Sequence, residues 1–275
     1  MSCVVMKKIK TLCPAKLNLY LKVLDKRKDG YHNIDTSFQL IDLADVMSFE
    51  VCEKDIFINS NQDFLCGKNN TIYQSAKKIK QIFGIKNGIK INIEKKIPIG
   101  AGLGGGSSNA ASTIVALKSL WNLNANTSDL IDVAKSIGAD VPFFIYGKNS
   151  FGQGIGEKLK FTDSIKENLL LIQPDIHNST QNMFNELDMY REKNNFIANS
   201  EQNDFWEIFI KRDSTVRNFY EQNSLDYNLN LSGTGSCIYI RYNKKKELNK
   251  ILKKIPSNWR FFFCKPLQYS PICYI

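Results

Sequence analysis

The sequence lacks the features that mark a membrane protein, a secreted protein or a metal site. No apolar run reaches the about 18 residues that a membrane-spanning helix requires. The first residues place lysines after a very short apolar run, which is the reverse of a secretory signal. The seven cysteines include no C-x-x-C pair and no Cys/His pair with metal-ligand spacing. We therefore expect a cytoplasmic protein with reduced, mostly buried thiols.

Charge and composition place the chain among ordinary globular proteins. Of its 275 residues, 43% are hydrophobic, which is enough for a large core in one or two domains. The net charge of +10 could mark a nucleic-acid surface, but the lysines are scattered and no basic stripe with interleaved aromatics occurs. A positive field that attracts polyphosphate substrates explains the charge equally well. The charge alone leaves both explanations open; taken together with the motifs described below, we expect a small-molecule substrate, no nucleic-acid partner and no membrane partner.

Glycine is concentrated in one segment that predicts a phosphate-binding loop. Five glycines lie within the seven positions 100–106, followed directly by small helix formers. Without a Cβ, the backbone can take a positive φ and approach an anion, and the free N–H groups of the following helix point at that anion. Ser107 or Ser108 can serve as the N-cap of this helix. The predicted phosphate contacts are Pro98, Gly100, Gly102, Leu103, Gly104, Gly105, Gly106, Ser107 and Ser108.

The flanking residues distinguish this loop from three better-known glycine loops. No lysine follows the last glycine, so the pattern of a P-loop fails. A bare G-x-G-x-x-G is present, but the acidic residue of a dinucleotide site is missing about 20 residues further on. The H-R-D and D-F-G motifs that accompany a protein-kinase glycine loop do not occur. A flexible linker remains as an alternative, although linkers seldom end at a helix N-cap.

Periodicity predicts an α+β architecture in two parts. Leu17, Leu19, Leu21 and Val23 alternate with polar residues, so Lys16 and Asn18 share the polar face of a strand. Further strands of an antiparallel sheet are predicted at 36–41, 46–51 and 55–59, and a strand leading into the glycine loop is predicted at 89–93. Helices are predicted at 71–83, from the glycine loop to about 121, and from 127 to before Gly138. Because Pro142 follows, residues 139–141 are expected in an extended turn.

A run of glycines between 147 and 156 predicts the domain boundary. We expect one domain at 1–156 and a second at 157–275. The second part reads as strands at 169–173, 229–231, 238–241 and 260–264, with helices at 180–187, 204–211 and 244–254. Strands and helices interleave without strict βαβ repetition, which favours two α+β lobes.

Four motifs in order resemble those of the GHMP kinase superfamily. They are PAKLNL at 14–19, the glycine loop, GADVPF at 138–143 and LSGTGSC at 231–237. Within the superfamily, RKDGYH at 27–32 and Ser179-Thr180 with Phe184 resemble substrate segments of the members that phosphorylate a cytidine-diphosphate-linked methylerythritol of non-mevalonate isoprenoid synthesis. The resemblance covers nearly the whole chain. It implies an N-terminal lobe like ribosomal protein S5 domain 2, a ferredoxin-like C-terminal lobe, and ATP and Mg²⁺ as cofactors.

The same resemblance implies roles for the reacting end of the site. Lys16 would lie beside the acceptor hydroxyl, with Asp140 opposite as the proton acceptor, and Asn18 would reach the erythritol end. One carboxylate suffices where positioning and charge stabilisation supply most of the catalysis. The structural alternatives are an exposed strand lysine for Lys16 and a turn former for Asp140. The superfamily's usual acidic Mg²⁺ ligand is not evident, so the metal ligands stay unassigned.

At the base and nucleotide ends the resemblance implies further contacts. Tyr31 and Phe184 would stack on the two faces of cytosine, and His32 would bond its edge, while Thr180 and Gly233 would complete the acceptor site. Asn70 and Lys96, or its neighbour Lys95, would contact adenosine, although a helix cap and solvated charges explain them equally. The alternatives for the whole protein are a homoserine- or mevalonate-type kinase, a basic nucleic-acid-binding protein, and a non-catalytic nucleotide sensor.

Overall fold

The computed structural model describes residues 8–194 and 203–274. Residues 1–7, which carry most of the charge pattern considered for a secretory signal, lie outside the described residues. Within these ranges, no helix combines the length and the apolar character that crossing a membrane demands.

Two long strands form the framework of the first lobe. The strand β1 (Lys8–Lys26) pairs antiparallel with β2 (His32–Cys52) along nearly its whole length, through a turn at Gly30. The two segments predicted as separate strands at 36–41 and 46–51 are both part of the single strand β2. It also pairs with β4 (Gly88–Glu94) and with β5 (Ser150–Gly154). This branching makes β2 the centre of the sheet.

The first sheet is completed by β3 (Ile56–Ser60) and β6 (Lys158–Phe161) in the order β3-β4-β2-β5-β6, with β1 on β2. The prediction of a wholly antiparallel sheet is wrong, because β3 runs parallel to β4. The intervening helix returns the chain to the same end of the sheet, and a crossover of this kind is what a parallel pair requires.

Four helices cover this sheet: α1 (Thr71–Ile82), α2 (Gly105–Leu120), α3 (Thr127–Lys135) and α4 (Val141–Tyr146). The first three follow the predicted segments within about two residues. The central helix α2 is buried along most of its length, since its small residues let β1, α1 and α4 pack closely around it. The extended turn expected at 139–141 is wrong. Asp140 has helical dihedral angles, and Pro142 lies in the first turn of α4, where its missing N–H costs nothing.

The second lobe is a four-stranded antiparallel sheet with helices on one face. Its elements are β7 (Asn168–Gln173), α5 (Thr180–Asn194), α6 (Trp206–Arg212), α7 (Ser214–Asn223), β8 (Asn230–Leu231), β9 (Ile238–Tyr242), α8 (Asn249–Leu252) and β10 (Arg260–Cys264). The strand order is β10-β7-β9-β8. The helix α7 was not predicted, and the helix predicted at 244–254 is a 3₁₀ turn followed by the short α8.

Alternate side chains of β7 pack on opposite faces of its sheet, and this alternation explains how the two lobes join. Leu170 and Ile172 pack under the helices of the second lobe. Leu169 and Leu171 point the other way, into a cluster with Leu17 of β1 and with the glycine segment. The two lobes therefore share one apolar layer, and the glycine loop lies at the edge of this layer.

The expected division between 156 and 157 falls inside the β5–β6 hairpin, so that boundary is corrected. The strand β6 pairs with β5 in the first sheet, and the chain leaves this sheet after Phe161. The C-terminal segment then returns, since the Leu267 N–H donates to the Leu40 carbonyl and the Ser270 N–H to that of Gly147, both at 2.9 Å. The first lobe thus contains residues from both ends of the chain.

A buried carboxylate ties the central strand to the glycine segment. Asp45 of β2 is fully buried and accepts hydrogen bonds from the Lys96 and Ile97 N–H groups at 2.7 and 2.8 Å. It also accepts from Asn109 Nδ2 of α2 at 2.9 Å, and it forms an ion pair with the Lys95 ammonium. Asp45 therefore fixes the chain immediately before the loop and the helix immediately after it.

Replacing Asp45 by alanine should destabilise the fold strongly. The substitution leaves the buried Lys95 ammonium and several donors without their acceptor, and breaking one partner of a buried pair costs about 3–5 kcal/mol. Urea unfolding of Asp45→Ala measures the loss. Asp132→Ala is the control, since Asp132 pairs with Lys135 on the surface and its side chain is 73% exposed. Equal losses in the two variants would contradict the anchoring role.

Candidate active site

The predicted site residues come together in a cleft of about 940 Å³ between the lobes. Its wall is formed by β1, the turn before β2, the glycine loop, the starts of α1, α4 and α5, and the turn between β8 and β9. The residues predicted from the sequence that line it are Lys16, Asn18, Tyr31, His32, Asn70, Pro98, Gly100, Gly102, Leu103, Gly104, Gly105, Gly106, Ser107, Asp140, Thr180, Phe184 and Gly233. Lys96 and Ser108 are not in this lining.

The glycine loop has the backbone that an anion site needs. Gly100, Gly102 and Gly104 have φ values of +67°, +72° and +67°. The helix α2 begins at Gly105 with Gly104 as its N-cap, and Ser108 is the first residue whose N–H bonds back, to the Gly104 carbonyl at 2.9 Å. The N-cap expected at Ser107 or Ser108 is therefore corrected by three or four residues. The N–H groups of the first turn have no acceptor four residues back and open at the cleft.

Two predicted phosphate or nucleotide contacts lie elsewhere. Ser108 is fully buried, and its hydroxyl has no hydrogen-bond partner among the described residues. The Lys96 ammonium is half exposed and pairs with Glu94 at 3.1 Å. Of the two neighbouring lysines, Lys95 is the one that lines the cleft, and its ammonium would lie 2.8 Å from a Cβ built on Gly105. Asp45 determines which of the two lysines lies at the cleft, because its ion pair holds the Lys95 ammonium beneath the glycine loop.

The second lobe holds the loop from the other side. Ser232 Oγ donates to the Gly102 carbonyl at 3.0 Å, and the Cys237 N–H donates to the Ala101 carbonyl at 3.2 Å. A Cβ on Gly102 would lie 2.0 Å from the Ser232 carbonyl oxygen, so only glycine permits this approach. Gly233 lies at the same junction, with φ +58°. The glycine loop and the turn between β8 and β9 therefore contact each other through their backbones.

A lysine and an aspartate face each other where β1 meets α4. Lys16 Nζ lies 3.4 Å from Asp140 Oδ2, and the Lys16 side chain is 5% exposed. The Lys16 N–H donates to the Leu103 carbonyl at 3.0 Å, which fixes β1 beside the glycine loop. Asp140 occupies the N-cap of α4 but makes no capping hydrogen bond to the described backbone. Its carboxylate is thus directed to Lys16 and the cleft, and the alternative of an exposed Lys16 is excluded.

The amide of Asn18 is engaged within the protein. Its Oδ1 accepts from Lys16 Nζ at 2.5 Å, and its Nδ2 donates to Thr36 Oγ1 at 2.8 Å. Asn18 is only 2% exposed. The structure therefore relates Asn18 directly to Lys16, a connection that the alternation of β1 predicted only as a shared face.

Aromatic rings line the far end of the cleft in an arrangement that differs from the predicted one. The His32 ring stacks on Phe184, with centroids 5.0 Å apart and planes 24° apart, and Phe205 meets Phe184 edge-on at 4.9 Å. Tyr31 is 59% exposed on the same wall. One face of Phe184 is thus covered by His32, a contact within the protein that the sequence did not predict.

Asp188 of α5 orients the His32 ring. His32 Nε2 lies 2.8 Å from Asp188 Oδ1, and Lys26 Nζ lies 2.7 Å from Asp188 Oδ2. Partial burial raises the pKa of Asp188, but the hydrogen bonds from Lys26 and His32 lower it more, so the net shift is downward. Because an ionised carboxylate only accepts, His32 Nε2 carries the hydrogen. Sequence reasoning missed Asp188, since nothing local links it to a residue 156 positions earlier.

At the nucleotide end, Asn70 is the N-cap of α1. Its Oδ1 accepts from the Tyr73 N–H at 2.8 Å, and its Nδ2 donates to the carbonyls of Gly67 and Leu65. Thr71 Oγ1 donates to the Gly106 carbonyl at 2.9 Å. The cap therefore brings the start of α1 against the start of α2, where the two helices border the cleft together.

Two buried cysteines are held in the thiol form, and the described residues contain no cluster of metal-ligating side chains. Burial raises the pKa of Cys13 to about 12 and that of Cys264 likewise to about 12. These thiols stay protonated. No group of three or more His, Cys, Asp or Glu side chains within 8–194 and 203–274 could hold a metal ion.

Comparison with known proteins agrees with this geometry. The model of the GHMP kinases N terminal domain matches residues 70–148, the stretch from α1 through the glycine loop to α4. A 4-diphosphocytidyl-2-C-methyl-D-erythritol kinase of Francisella tularensis is 37% identical over 263 residues, which cover 93% of this chain and 95% of that protein. The chain belongs to the 4-diphosphocytidyl-2-C-methyl-D-erythritol kinase family.

Solved structures agree with membership in this family. A crystal structure of 4-(cytidine 5'-diphospho)-2C-methyl-D-erythritol kinase has a TM-score of 0.73 and 26% identity, covering 94% of this chain and 99% of that one. A homoserine kinase from Cytophaga hutchinsonii has a TM-score of 0.69 at 15% identity, with 98% of both chains covered, which shows the fold alone. The protein is thus a GHMP kinase with the expected two-lobe α+β fold, and GHMP kinases use ATP.

Substitution of Gly104 by valine should weaken ATP binding by about tenfold or more. A β-branched residue is strained at φ +67°, and its Cβ would lie 3.0 Å from Lys16 and Phe144 at the start of α2. Calorimetric titration with ATP measures the change. Gly84→Val is the control, because Gly84 has a similar φ of +63° with open space around it, outside the cleft. Unchanged ATP affinity in Gly104→Val would contradict the assignment of the loop.

Proposed function

We propose that the protein transfers the γ-phosphoryl group of ATP to the 2-hydroxyl of 4-diphosphocytidyl-2-C-methyl-D-erythritol in non-mevalonate isoprenoid precursor synthesis. The observation that carries the proposal is one cleft with the Lys16–Asp140 pair beside the glycine loop and with aromatic rings at its other end. We further propose that the reaction takes place in the cytoplasm.

ATP phosphates would lie on the glycine loop. The free N–H groups of the first turn of α2 and the positive end of its dipole favour anions there. The Lys95 ammonium beneath the loop adds a fixed positive charge on the same side. Adenosine would extend toward Leu65, Asn70 and Ile72, which line the adjoining wall.

Phosphoryl transfer would take place at the Lys16–Asp140 pair. The acceptor hydroxyl oxygen attacks the γ-phosphorus, the bond from that phosphorus to the bridging oxygen breaks, and ADP leaves. Asp140 takes the hydroxyl proton, because its carboxylate faces the cleft and is not used as a helix cap. Lys16, held 3.4 Å away, stabilises the negative charge of the transferring group.

The polar groups of the cleft fit a magnesium ion that arrives with ATP. Mg²⁺ is commonly bound by one or two carboxylates together with substrate phosphates, so the absence of a larger acidic cluster in the described ranges is compatible with it. The Ser107 hydroxyl at the start of α2 would hold it together with the ATP phosphates, because the Asp140 carboxylate is needed for the proton. When bound, the ion neutralises phosphate charge.

The cytidine base would occupy the aromatic end. Tyr31 offers an exposed ring, and the stacked His32–Phe184 pair forms the facing apolar wall. Stacking accepts any base, so selectivity must come from hydrogen bonds. In the neutral ring, with the hydrogen on Nε2 directed to Asp188, the His32 Nδ1 atom is an acceptor. An acceptor suits the exocyclic amine of cytosine and opposes the carbonyl of uracil.

Replacement of Asp140 by asparagine should lower kcat by about 10²–10⁴, the range for a lost general base, with little change in either KM. Steady-state kinetics with the cytidine acceptor measures this loss. Asp35→Asn is the control, because Asp35 accepts from the Tyr20 hydroxyl at 2.8 Å outside the cleft lining. A normal kcat in Asp140→Asn would rule out Asp140 as the proton acceptor.

Replacement of Phe184 by alanine should raise the acceptor KM about 5- to 150-fold, since base stacking contributes about 1–3 kcal/mol, and should leave the KM of ATP unchanged. Phe261→Ala, which removes an exposed ring of β10 outside the cleft, serves as the control. The wild-type enzyme should reject the uridine analogue. Equal turnover of cytidine and uridine acceptors, or of a small alcohol without a base, would favour a homoserine- or mevalonate-type activity instead.

A further inference from the structure

We propose that Thr36 is a positioning residue for Lys16 and that it acts through the amide of Asn18; this inference rests on the kinase function proposed above. Thr36 lies on β2 opposite β1, is fully buried, and stands behind the described cleft lining. It therefore does not contact a substrate directly. Its influence on the reaction runs along two hydrogen bonds.

The first step is the direction of the Thr36 hydroxyl. A hydroxyl has one hydrogen to donate and lone pairs to accept with. Thr36 Oγ1 lies 2.6 Å from the Tyr20 carbonyl, which can only accept, so the hydroxyl hydrogen is used there. Oγ1 consequently presents only lone pairs to Asn18, 2.8 Å away.

The second step is the orientation of the Asn18 amide. A lone pair at Thr36 requires the NH₂ group of Asn18 on that side, which places Oδ1 on the opposite side, toward Lys16. The ammonium of Lys16 can only donate, and it lies 2.5 Å from Oδ1. Both neighbours of the amide therefore demand the same orientation. A reversed amide would bring an NH₂ group against an ammonium and a carbonyl oxygen against a lone pair.

The third step is the position of the Lys16 charge. The ammonium lies between Asn18 Oδ1 and Asp140 Oδ2, with the Phe38 ring 5.3 Å from it. Asn18 Oδ1 is the nearer of the two acceptors, at 2.5 Å against 3.4 Å for Asp140 Oδ2, so the ammonium is bound mainly by Asn18. Without that acceptor, Lys16 would move toward the Asp140 carboxylate and bind the oxygen that must accept the hydroxyl proton. Thr36 thus keeps Lys16 available for the phosphoryl group.

The test compares kcat in three variants. Thr36→Val keeps the shape but removes the acceptor, and it should lower kcat by about tenfold or more with little change in either KM. Thr36→Ser restores the hydroxyl and should restore kcat. Thr113→Val is the matched control, because Thr113 is equally buried and its hydroxyl bonds only the Asn109 carbonyl of its own helix among the described residues, at 2.8 Å. The control should keep the wild-type kcat.

A double-mutant cycle separates positioning from stability. In an Asn18→Ala background, Thr36→Val should cause no further fall in kcat, because the path to Lys16 is already interrupted. A wild-type kcat in Thr36→Val, failure of Thr36→Ser to restore it, or an equal fall in both backgrounds would overturn the proposal. If Thr36→Val does not fold, Thr36→Ala makes the same comparison, because it also removes the acceptor of the Asn18 amide. A fall in kcat supports positioning, whereas a rise in acceptor KM with normal kcat overturns it.

The same assays distinguish failure of this inference from failure of the proposed function. A wild-type protein that turns over no cytidine acceptor contradicts the function. A wild-type protein that turns it over beside an unaffected Thr36→Val contradicts the positioning role alone.

Discussion

The buried charge of Lys16 is the constraint on which the site depends. An ammonium group removed from water is costly unless acceptors surround it, and the Lys16 side chain is 5% exposed. The acceptors come from two directions: Asn18 on the same strand and Asp140 at the start of α4. Any conformation that separates β1 from α4 removes the carboxylate that balances this charge and leaves only the Asn18 amide beside it. The catalytic arrangement is therefore also a condition of the fold.

The glycine loop is held between two fixed structures and is not free to adapt. Asp45 binds the chain before it and the helix after it, and Ser232 binds the Gly102 carbonyl from the second lobe. Ser232 Oγ also lies 3.3 Å from the Asn18 N–H, so one hydroxyl joins the loop, β1 and the second lobe. Because the loop is ordered by the protein, its N–H groups need no rearrangement to meet a phosphate, which is what electrostatic preorganisation requires.

Local patterns predicted the elements whose determinants lie close together in sequence. The strand at Leu17–Val23, the helix of 71–82 and the glycine loop depend on neighbours within one or two turns, and all three elements are observed. The half-buried character predicted for the strand is wrong, because the second lobe and α4 also cover Lys16 and Asn18 on its polar face. The association of β6 with the first sheet, the return of the C-terminal segment and the Asp188–His32 contact depend on residues far apart in the chain. No periodicity reports such pairings. Whether Lys95 or Lys96 faces the cleft is decided in the same way. Asp45, which lies 50 positions before Lys95 in the sequence, binds the Lys95 ammonium and holds it there.

The distribution of polar contacts also separates the two tasks of the enzyme. Asp188, Lys26 and His32 form a group at the aromatic end. Among the described residues, no hydrogen bond joins this group to the one formed by Lys16, Asn18 and Asp140. Substitutions without shared partners usually have additive effects. Changes at the aromatic end should therefore act on acceptor affinity, and changes around Lys16 on the rate of transfer. Binding of the cytosine base at the aromatic end can then position the 2-hydroxyl for attack. It does so without altering the residues that act on the phosphoryl group.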